Sequence, residues 1–283
     1  MSLDPPSQSQ PPWGAHAPGA AAQVVLWLSR NSPLGRGLAR KSLAGGFNAL
    51  HAGPVDVPLW GTQVRLYPDN NVVERKALLR PDHYDAPERA LLRREMSRPG
   101  AVFVDIGGNA GLYSLDAALH CGDGATILMI EPDADLIERF AFNLDQARQL
   151  GRIRPALKIH AAAVAISDRD GTGILSATGD EGSRNLTSGA ENSGRNVQLR
   201  TLQSVVRDAR LDHIDIMKID VEGHEDKVLP PFLSSAEKNL WPAQIIIEHL
   251  QRSQWNPDCI ADAERRGYRI TKTTRNNTFL ERS

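Results

Sequence analysis

Short apolar runs alternate with longer amphipathic stretches through most of the chain. The apolar runs are continuous, which is typical of strands that are buried on both faces of a sheet. The stretches between them repeat apolar residues at intervals of three and four, which predicts amphipathic helices. The predicted strands cover residues 102–106, 126–130, 157–162, 214–220 and 243–249. This alternation predicts an α/β fold around a mostly parallel sheet.

The two ends of the chain follow other patterns. Residues 268–272 and 278–281 flank an Asn-Asn turn and predict a closing hairpin. Residues 1–20 are rich in Pro, Ser, Gln, Gly and Ala, and we expect a disordered tail there. Residues 21–84 combine a helical pattern with short alternating strands, which predicts a helical and β-meander extension. The main domain is then expected to span residues 85–283.

A glycine-rich turn follows the first predicted strand of the main domain. Its pattern is D-x-G-x-N-x-G over residues 105–111, and a helix-forming run continues to His120. Glycine lets the backbone approach a ligand, and a helix N-terminus offers free N–H groups. A dinucleotide fingerprint requires G-x-G-x-x-G. Because Asn109 and Leu112 occupy its second and third glycine positions, the turn predicts a nucleotide site that differs from that of a nicotinamide dehydrogenase.

Acidic residues stand where three of the predicted strands end. Asp105 closes the first strand, Glu131 follows the second, and Asp220 closes the strand that begins at Ile214. An acid after the second strand of such a fold holds ribose hydroxyls, and open α/β sheets bind ligands at the carboxyl ends of their strands. We therefore expect these acids to converge on one site. Further acids and histidines follow nearby, at Glu222, His224, Glu225, Glu248 and His249.

Three stretches carry a family resemblance. They are residues 104–114 together with Glu131-Pro132, residues 200–202, and residues 214–225, which contain the core K-I-D-V-E-G. With them the chain resembles class I S-adenosylmethionine-dependent methyltransferases, and within that group the FkbM family, over roughly residues 85–281. The resemblance implies a doubly wound, mostly parallel, seven-stranded Rossmann-like sheet with helices on both faces, preceded here by a small N-terminal helix and β extension. It also implies S-adenosyl-L-methionine as the cofactor.

The same resemblance implies which residues bind the cofactor. Glu131 is expected to hold the ribose, and Ala163 is expected near the adenine at the end of the third strand. The glycine-rich turn is expected to shape the methionine end of the site. The expected cofactor-binding residues are Asp105, Gly107, Asn109, Gly111, Glu131, Pro132, Ala163 and Asp220.

The implied reaction is methylation of a hydroxyl group on a sugar, polyketide or other small metabolite. A hydroxyl is a poor nucleophile near pH 7, so a nearby base assists the transfer. We favour His249 as that base over His224, since the family usually has a small residue at the position of His224. Asp220 and Glu222 are expected to face the methyl group or its acceptor. The expected catalytic residues are His249, Asp220, Glu222 and His224, without a metal ligand set.

Two other functions use the same residues. A metal-dependent hydrolase would employ the acids and histidines at 220–225 and 248–249, although no H-E-x-x-H spacing is present. A non-catalytic nucleotide-binding module would bind the cofactor without turnover. Lys218 is expected to pair with Asp220 or Glu248, or to orient the substrate.

The overall composition limits the kinds of partner and compartment that we expect for this protein. The 283 residues are 41% hydrophobic and 24% charged, and a net charge of −1 argues against bulk attraction to nucleic acid. No run of about 18 apolar residues predicts a transmembrane segment. Cys121 and Cys259 are expected to be buried thiols in a reducing, cytoplasmic compartment. The excursion over residues 171–196 is assigned to the substrate side, with Arg184, Asn185 and Asn192 as candidates for recognition.

The N-terminal segment is basic. No Asp or Glu occurs between Asp4 and Asp56, whereas Arg30, Arg36, Arg40 and Lys41 do. One interpretation is a helix that packs on the domain or on a second subunit. Packing on a second subunit would make a homodimer. The other is a contact with an anionic membrane surface or an acidic partner.

Overall fold

The computed structural model describes residues 10–35, 37, 39–176, 186–187 and 194–283. Its helices are α1 (Ala20–Asn31), α2 (Ala39–Leu50), α3 (Val72–Leu79), α4 (Ala86–Met96), α5 (Leu112–His120), α6 (Ala134–Gln149), α7 (Leu202–Asp208), α8 (Leu229–Ser235) and α9 (Cys259–Arg265). Its strands are β1 (Val55–Leu59), β2 (Thr62–Leu66), β3 (Val102–Ile106), β4 (Thr126–Ile130), β5 (Lys158–Ala162), β6 (Ala165–Ile166), β7 (Gly171–Ser176), β8 (Leu186–Thr187), β9 (Gly194–Arg200), β10 (Ile216–Ile219), β11 (Gln244–Glu248), β12 (Tyr268–Thr273) and β13 (Asn277–Arg282).

A seven-stranded sheet forms the centre of the main domain, in the order β12-β13-β11-β10-β3-β4-β5. Strands β5, β4, β3, β10 and β11 run parallel. Strand β13 is antiparallel to β11, and β12 is antiparallel to β13. This architecture confirms the predicted doubly wound α/β fold and the predicted closing hairpin.

Both faces of the central strands of this sheet are buried, which explains their continuous apolar runs. Alternate residues of a strand point to opposite faces. Phe103 accordingly packs in one hydrophobic core with residues of α4, α5 and α6, and Val104 packs in a second core with residues of α7, α8 and α9. The sheet is thus a rigid floor whose strand ends are fixed from both sides.

The chain reverses its direction of winding between β3 and β10. From β3 it proceeds to β4 and β5 on one side, and from β10 to β11 on the other. Helices on the two faces therefore diverge at this point and leave a crevice outside the carboxyl ends of the two strands. The crevice is where the fold places a ligand.

The extension that precedes the main domain differs from the predicted β-meander. Strands β1 and β2 form an antiparallel hairpin, and a helix, α3, follows instead of another strand. The side-chain carbonyl of Asn71 accepts hydrogen bonds from the backbone amides of Val73 and Glu74, at 3.0 and 3.2 Å. Asn71 therefore caps the helix.

Residues 10–19 differ from the predicted disordered tail. The indole of Trp13 donates to the carbonyl of Val64 at 3.2 Å. The amides of Gly14 and His16 donate to the carboxylate of Asp56 at 2.7 and 3.0 Å, and Asp56 is paired with the buried Arg65. These bonds fix the segment on the β1–β2 hairpin. Residues 1–9 lie outside the described residues.

The predicted excursion after residue 170 contributes to a second, four-stranded sheet in the order β6-β9-β7-β8. Arg195 on β9 forms ion pairs with Asp133 and Asp135, at 2.9 and 3.1 Å, at the start of α6. These pairs tie the small sheet to the main domain. Arg184, Asn185 and Asn192 lie outside the described residues. Within the part of the chain that the structure describes, no helix is long and apolar enough to cross a membrane.

Candidate active site

A cleft of about 240 Å³ opens at the carboxyl ends of β3 and β10. Six of the predicted site residues line it together: Gly107, Asn109, Glu131, Pro132, Asp220 and Glu222. The remaining predicted residues, Asp105, Gly111, Ala163, His224 and His249, are not part of its lining. Of the three acids expected to converge from the strand ends, Glu131 and Asp220 therefore line one cleft, whereas Asp105 does not.

The glycines of the turn after β3 are required by contacts within the protein. Gly107 has a φ of +72°, and a Cβ there would lie 1.8 Å from the backbone oxygen of Asp220. Gly111 also has a φ of +72°, and its Cβ would lie 2.4 Å from the ring of Phe140. Left-handed backbone and close packing both favour glycine. The turn is thus pressed against the end of β10 and against α6, a different reason from the ligand approach expected from the sequence.

Asp105 is fully buried beneath this turn. Its Oδ2 accepts a hydrogen bond from the hydroxyl of Ser114 at 2.7 Å, and its Oδ1 has no hydrogen-bond partner among the described residues. Burial raises the pKa of Asp105, an effect that the charge of Lys218 on the neighbouring strand partly offsets. The carboxylate therefore holds the first turn of α5 and compensates the charge of Lys218 from below the cleft.

Glu131 forms one end of the cleft, which we call the Glu131 end. Its Oε2 accepts the amide of Asn109 at 2.9 Å, and its Oε1 accepts the amide of Asp133 at 3.0 Å. Burial raises the pKa of Glu131 to about 7 in spite of these two bonds. Each carboxylate oxygen keeps a further lone pair, so the two oxygens together are suited to two neighbouring hydroxyl donors.

Asn109 connects this end to the N-terminal extension. Its backbone is left-handed, with a φ of +50°, which asparagine tolerates better than most residues. Its side-chain Oδ1 accepts from the side-chain nitrogen of Asn71 at 2.7 Å. Sequence reasoning missed Asn71, because a helix cap gives no sign of a contact with a distant turn.

The wall beside Glu131 is apolar. Val164, Ala165, Ile166 and Leu175 line the cleft there. Ala163, which was expected near the adenine, is exposed and lies outside the lining. Ala163 lies in the short break between β5 and β6, and the residues that follow it line the cleft.

Three carboxylates form the other end of the cleft, which we call the acidic end: Asp220, Glu222 and Glu248. One oxygen of each lies within 4.8 Å of the others. The ammonium of Lys218 lies 2.9 Å from Oδ2 of Asp220. Oxygen ligands of this kind can hold a hard divalent cation, although Lys218 already compensates Asp220.

The acidic end changes the protonation of its residues. Burial, together with the charges of Asp220 and Glu222, raises the pKa of Glu248 to about 9. Burial alone would lower the pKa of Lys218, but the carboxylates of Asp220 and Asp105 outweigh it, so that pKa is raised overall. At neutral pH, Lys218 is therefore charged and Glu248 carries a proton.

Neither predicted histidine lines the cleft. Nδ1 of His249 lies 3.0 Å from the hydroxyl of Thr278 on β13. His224 is half-buried beside the cleft, and burial lowers its pKa. Because successive side chains at a strand end point to opposite sides, Glu248 enters the cleft and His249 is directed toward β13. Of the acids and histidines at these strand ends, Asp220, Glu222 and Glu248 therefore line the cleft, whereas His249, the base favoured from the sequence, and His224 do not.

Asp85 and Tyr113 also line the cleft and were not predicted. Asp85 precedes α4 with a left-handed φ of +39° and makes no side-chain bond that caps the helix. Its Oδ2 instead accepts from the hydroxyl of Tyr113 at 3.0 Å. The ring centroid of Tyr113 lies 4.8 Å from the ammonium of Lys218. An Asp before a helix is usually interpreted as a cap, so the sequence concealed this contact.

The chain is similar in sequence to a known protein family and to part of a longer protein. Residues 105–270 match the family model described as the methyltransferase FkbM domain. The AMB antimetabolite synthetase AmbE of Pseudomonas aeruginosa is 27% identical over 167 residues, or 46% of this chain, and the chain spans 8% of the length of that protein.

Solved structures with a similar fold include several methyltransferases. TYW2 of M. jannaschii, solved in complex with AdoMet, has a TM-score of 0.42 and 12% identity, over 82% of this chain and 88% of that chain. A putative SAM-dependent methyltransferase from Streptococcus mutans has a TM-score of 0.47 and 9% identity, over 86% of this chain and 65% of that chain. Because the family model covers more than half of the 283 residues, the chain belongs to the FkbM family of S-adenosylmethionine-dependent methyltransferases, as its motifs predicted.

Proposed function

We propose that this chain transfers a methyl group from S-adenosylmethionine to a hydroxyl group of a small molecule, of the sugar or polyketide type. The observation that carries the proposal is the division of the cleft. One end offers the carboxylate of Glu131, which backbone amides orient, and the other offers Asp220, Glu222 and Glu248, where the charges of the first two raise the proton affinity of Glu248. The first arrangement suits binding, and the second suits proton transfer.

The Glu131 end fits the nucleoside of the cofactor. The lone pairs that remain on Glu131 can accept the two ribose hydroxyls, and the apolar wall of Val164, Ile166 and Leu175 suits a flat base. This wall takes the place that the sequence assigned to Ala163. When bound, the cofactor supplies an electrophilic methyl group on a sulfonium centre.

The acidic end supplies the base. A carboxylate with a raised pKa is a stronger base than an ordinary one once it is ionised. Glu248 receives the hydroxyl proton of the acceptor while the new O–CH3 bond forms and the S–CH3 bond breaks. Asp220, held by Lys218, and Glu222 increase the proton affinity of Glu248 and orient the acceptor.

Membership of a methyltransferase family argues against the metal-dependent hydrolase. The non-catalytic module is a weaker alternative, since a binding site alone has no need of a base in the position of Glu248. A divalent cation at the acidic end is compatible with methyl transfer. Adding a chelator to the assay distinguishes methyl transfer that needs a cation from methyl transfer that does not.

A labelling assay tests the reaction. The protein is incubated with methyl-labelled S-adenosylmethionine and a panel of hydroxylated sugars and polyketide alcohols, alongside matched amines and carboxylic acids. We expect label in alkali-stable ethers, and we expect Glu248→Gln to abolish it while Glu237→Gln, an exposed glutamate, retains it. Label on amines or carboxylates, or equal activity of Glu248→Gln, would contradict hydroxyl methylation with Glu248 as base.

A further inference from the structure

Helices α1 and α2 form a helical hairpin that is anchored on the protein. Ala22 and Leu26 on α1 and Phe47 on α2 are buried in the core that the extension shares with the main domain. The hydroxyl of Ser29 donates to the carbonyl of Leu79 at 3.0 Å. The hairpin is therefore held in a fixed orientation, with one face directed toward solvent.

The connection between the two helices is tightly packed. A Cβ on Gly35 would lie 2.0 Å from the backbone oxygen of Ser29. The short 3-10 turn that contains Gly35 contacts both helices. The closed end of the hairpin thus forms one surface with the end of α1 and the first turn of α2.

Large apolar side chains are exposed on this surface. Val24 is 58% exposed, Trp27 is 60% exposed and Leu34 is 49% exposed. Val24 and Trp27 are three residues apart on α1, so they share one face of the helix. Leu34 extends that apolar strip into the connection between the helices.

Basic side chains stand at the start of α2, which follows the connection that contains Leu34. Arg40 and Lys41 are exposed in the first turn of α2. Neither helix contains an acidic residue, and the sequence has none between Asp4 and Asp56. We call Val24, Trp27, Leu34, Arg40 and Lys41 the hairpin patch.

We propose that the hairpin patch docks on an anionic lipid surface. A strip of Trp and aliphatic side chains beside Lys and Arg, without acids, has the composition of helices that lie in the membrane interface. The positive charge complements anionic headgroups, and a lipid surface accommodates a protruding patch without a matching pocket. This inference does not depend on the proposed reaction, since it concerns where the enzyme is held.

Vesicle sedimentation of the full chain tests the proposal. We expect the protein to sediment with phosphatidylcholine vesicles that contain phosphatidylserine, to remain in solution with phosphatidylcholine alone, and to be released by high salt. Arg40→Gln with Lys41→Gln should weaken binding by roughly fivefold for each charge removed. Trp27→Ser should weaken it by roughly tenfold.

Matched variants control for general changes in surface character. Leu150→Ser removes an apolar side chain that is 47% exposed elsewhere, and Lys158→Gln with Lys238→Gln removes two exposed charges elsewhere. Both should sediment like the wild type. All variants are first shown to be folded by their thermal unfolding curves.

Three results would overturn the proposal. The first is absence of sedimentation with either vesicle by a folded wild-type protein. The second is equal sedimentation of the Trp27→Ser and wild-type proteins. The third is a dimer in lipid-free ultracentrifugation that Trp27→Ser dissociates, which would make a second copy of the chain the occupant of the patch.

Discussion

The two ends of the cleft each contain a glutamate with a raised pKa, and the two side chains experience different electrostatic surroundings. Glu131 accepts hydrogen bonds from two backbone amides and has an apolar wall beside it. Burial is the largest cause that raises its pKa, to about 7, and the charges of Asp133 and Asp105 add to it. Glu248 faces Asp220 and Glu222, and burial together with their charges raises its pKa to about 9. An amide-oriented carboxylate suits hydroxyl binding, whereas a carboxylate crowded by others suits proton transfer. The comparison assigns the same residue type to two functions by its surroundings.

The largest expected effect separates these functions at Glu248. Glu248→Gln keeps the shape of the side chain and removes the base, so kcat should fall by about 10²–10⁴-fold. Affinity for S-adenosylhomocysteine should stay within twofold of the wild type, about 0.4 kcal/mol. Steady-state kinetics with an identified acceptor, combined with a binding titration, measures both. Glu237→Gln is the control. If Glu248→Gln lost affinity for S-adenosylhomocysteine as strongly as it lost kcat, the two ends would not have separate functions.

The next largest effect concerns the ammonium group of Lys218 at the acidic end. Lys218 is buried and bound to Asp220, so Lys218→Met leaves the carboxylates uncompensated and should lower the free energy of unfolding by about 3 kcal/mol. Chemical denaturation measures the change. Lys158→Met, at an exposed site, should change stability by less than about 0.5 kcal/mol. Similar stability of both variants would show that Lys218 does not compensate the acidic end.

The pH dependence should distinguish the two ends within one protein. Glu131 is protonated below its pKa of about 7, and we expect the ribose hydroxyls to bind its ionised form. Affinity for S-adenosylhomocysteine should therefore rise by about tenfold from pH 6 to pH 8 and then level off. Because Glu248 must be ionised to act as base, kcat/KM should continue to rise toward about pH 9. Glu131→Gln should remove the first dependence alone, and a single shared transition would contradict the division.

The smallest expected effect concerns Asn71, which supports the turn at the Glu131 end. Asn71→Ala removes a helix cap and the hydrogen bond to Asn109, so the free energy of unfolding should fall by about 1 kcal/mol. Cofactor affinity should weaken by a few-fold, because the amide of Asn109 then orients Glu131 less firmly. Asn239→Ala, at an exposed site, is the control in denaturation and titration. An unchanged affinity of Asn71→Ala would show that the turn needs no support from the extension.

The strand ends were predictable because burial on both faces of a sheet leaves continuous apolar runs that stop at an acid. Glu131, Asp220 and Glu222 were located in this way. That Glu248 and not His249 lines the cleft was not predictable, since it depends on which side of the sheet the last residue of β11 faces. Sequence periodicity does not specify that side where the apolar run ends.

Contacts between distant segments were the other part that the sequence concealed. Asp85 and Asn71 both stand at helix starts, where capping explains them locally, and their further partners arise from tertiary packing. Residues 10–19 have the composition of a disordered tail, yet Asp56 accepts their amides because Arg65 compensates its charge. Composition shows whether a segment can bury enough apolar surface to fold alone. It does not show which hydrogen bonds the rest of the protein offers to that segment.

The most direct test of the account is calorimetric titration of S-adenosylhomocysteine into the wild type, Glu131→Ala and Glu248→Gln at one pH above 8. Loss of two hydrogen bonds to a charged carboxylate predicts about 100-fold weaker binding by Glu131→Ala. Glu248→Gln should bind like the wild type, as should the exposed control Glu138→Gln. Equal affinity of Glu131→Ala and the wild type, or equal weakening by Glu131→Ala and Glu248→Gln, would contradict the assignment of binding and proton transfer to separate ends of the cleft.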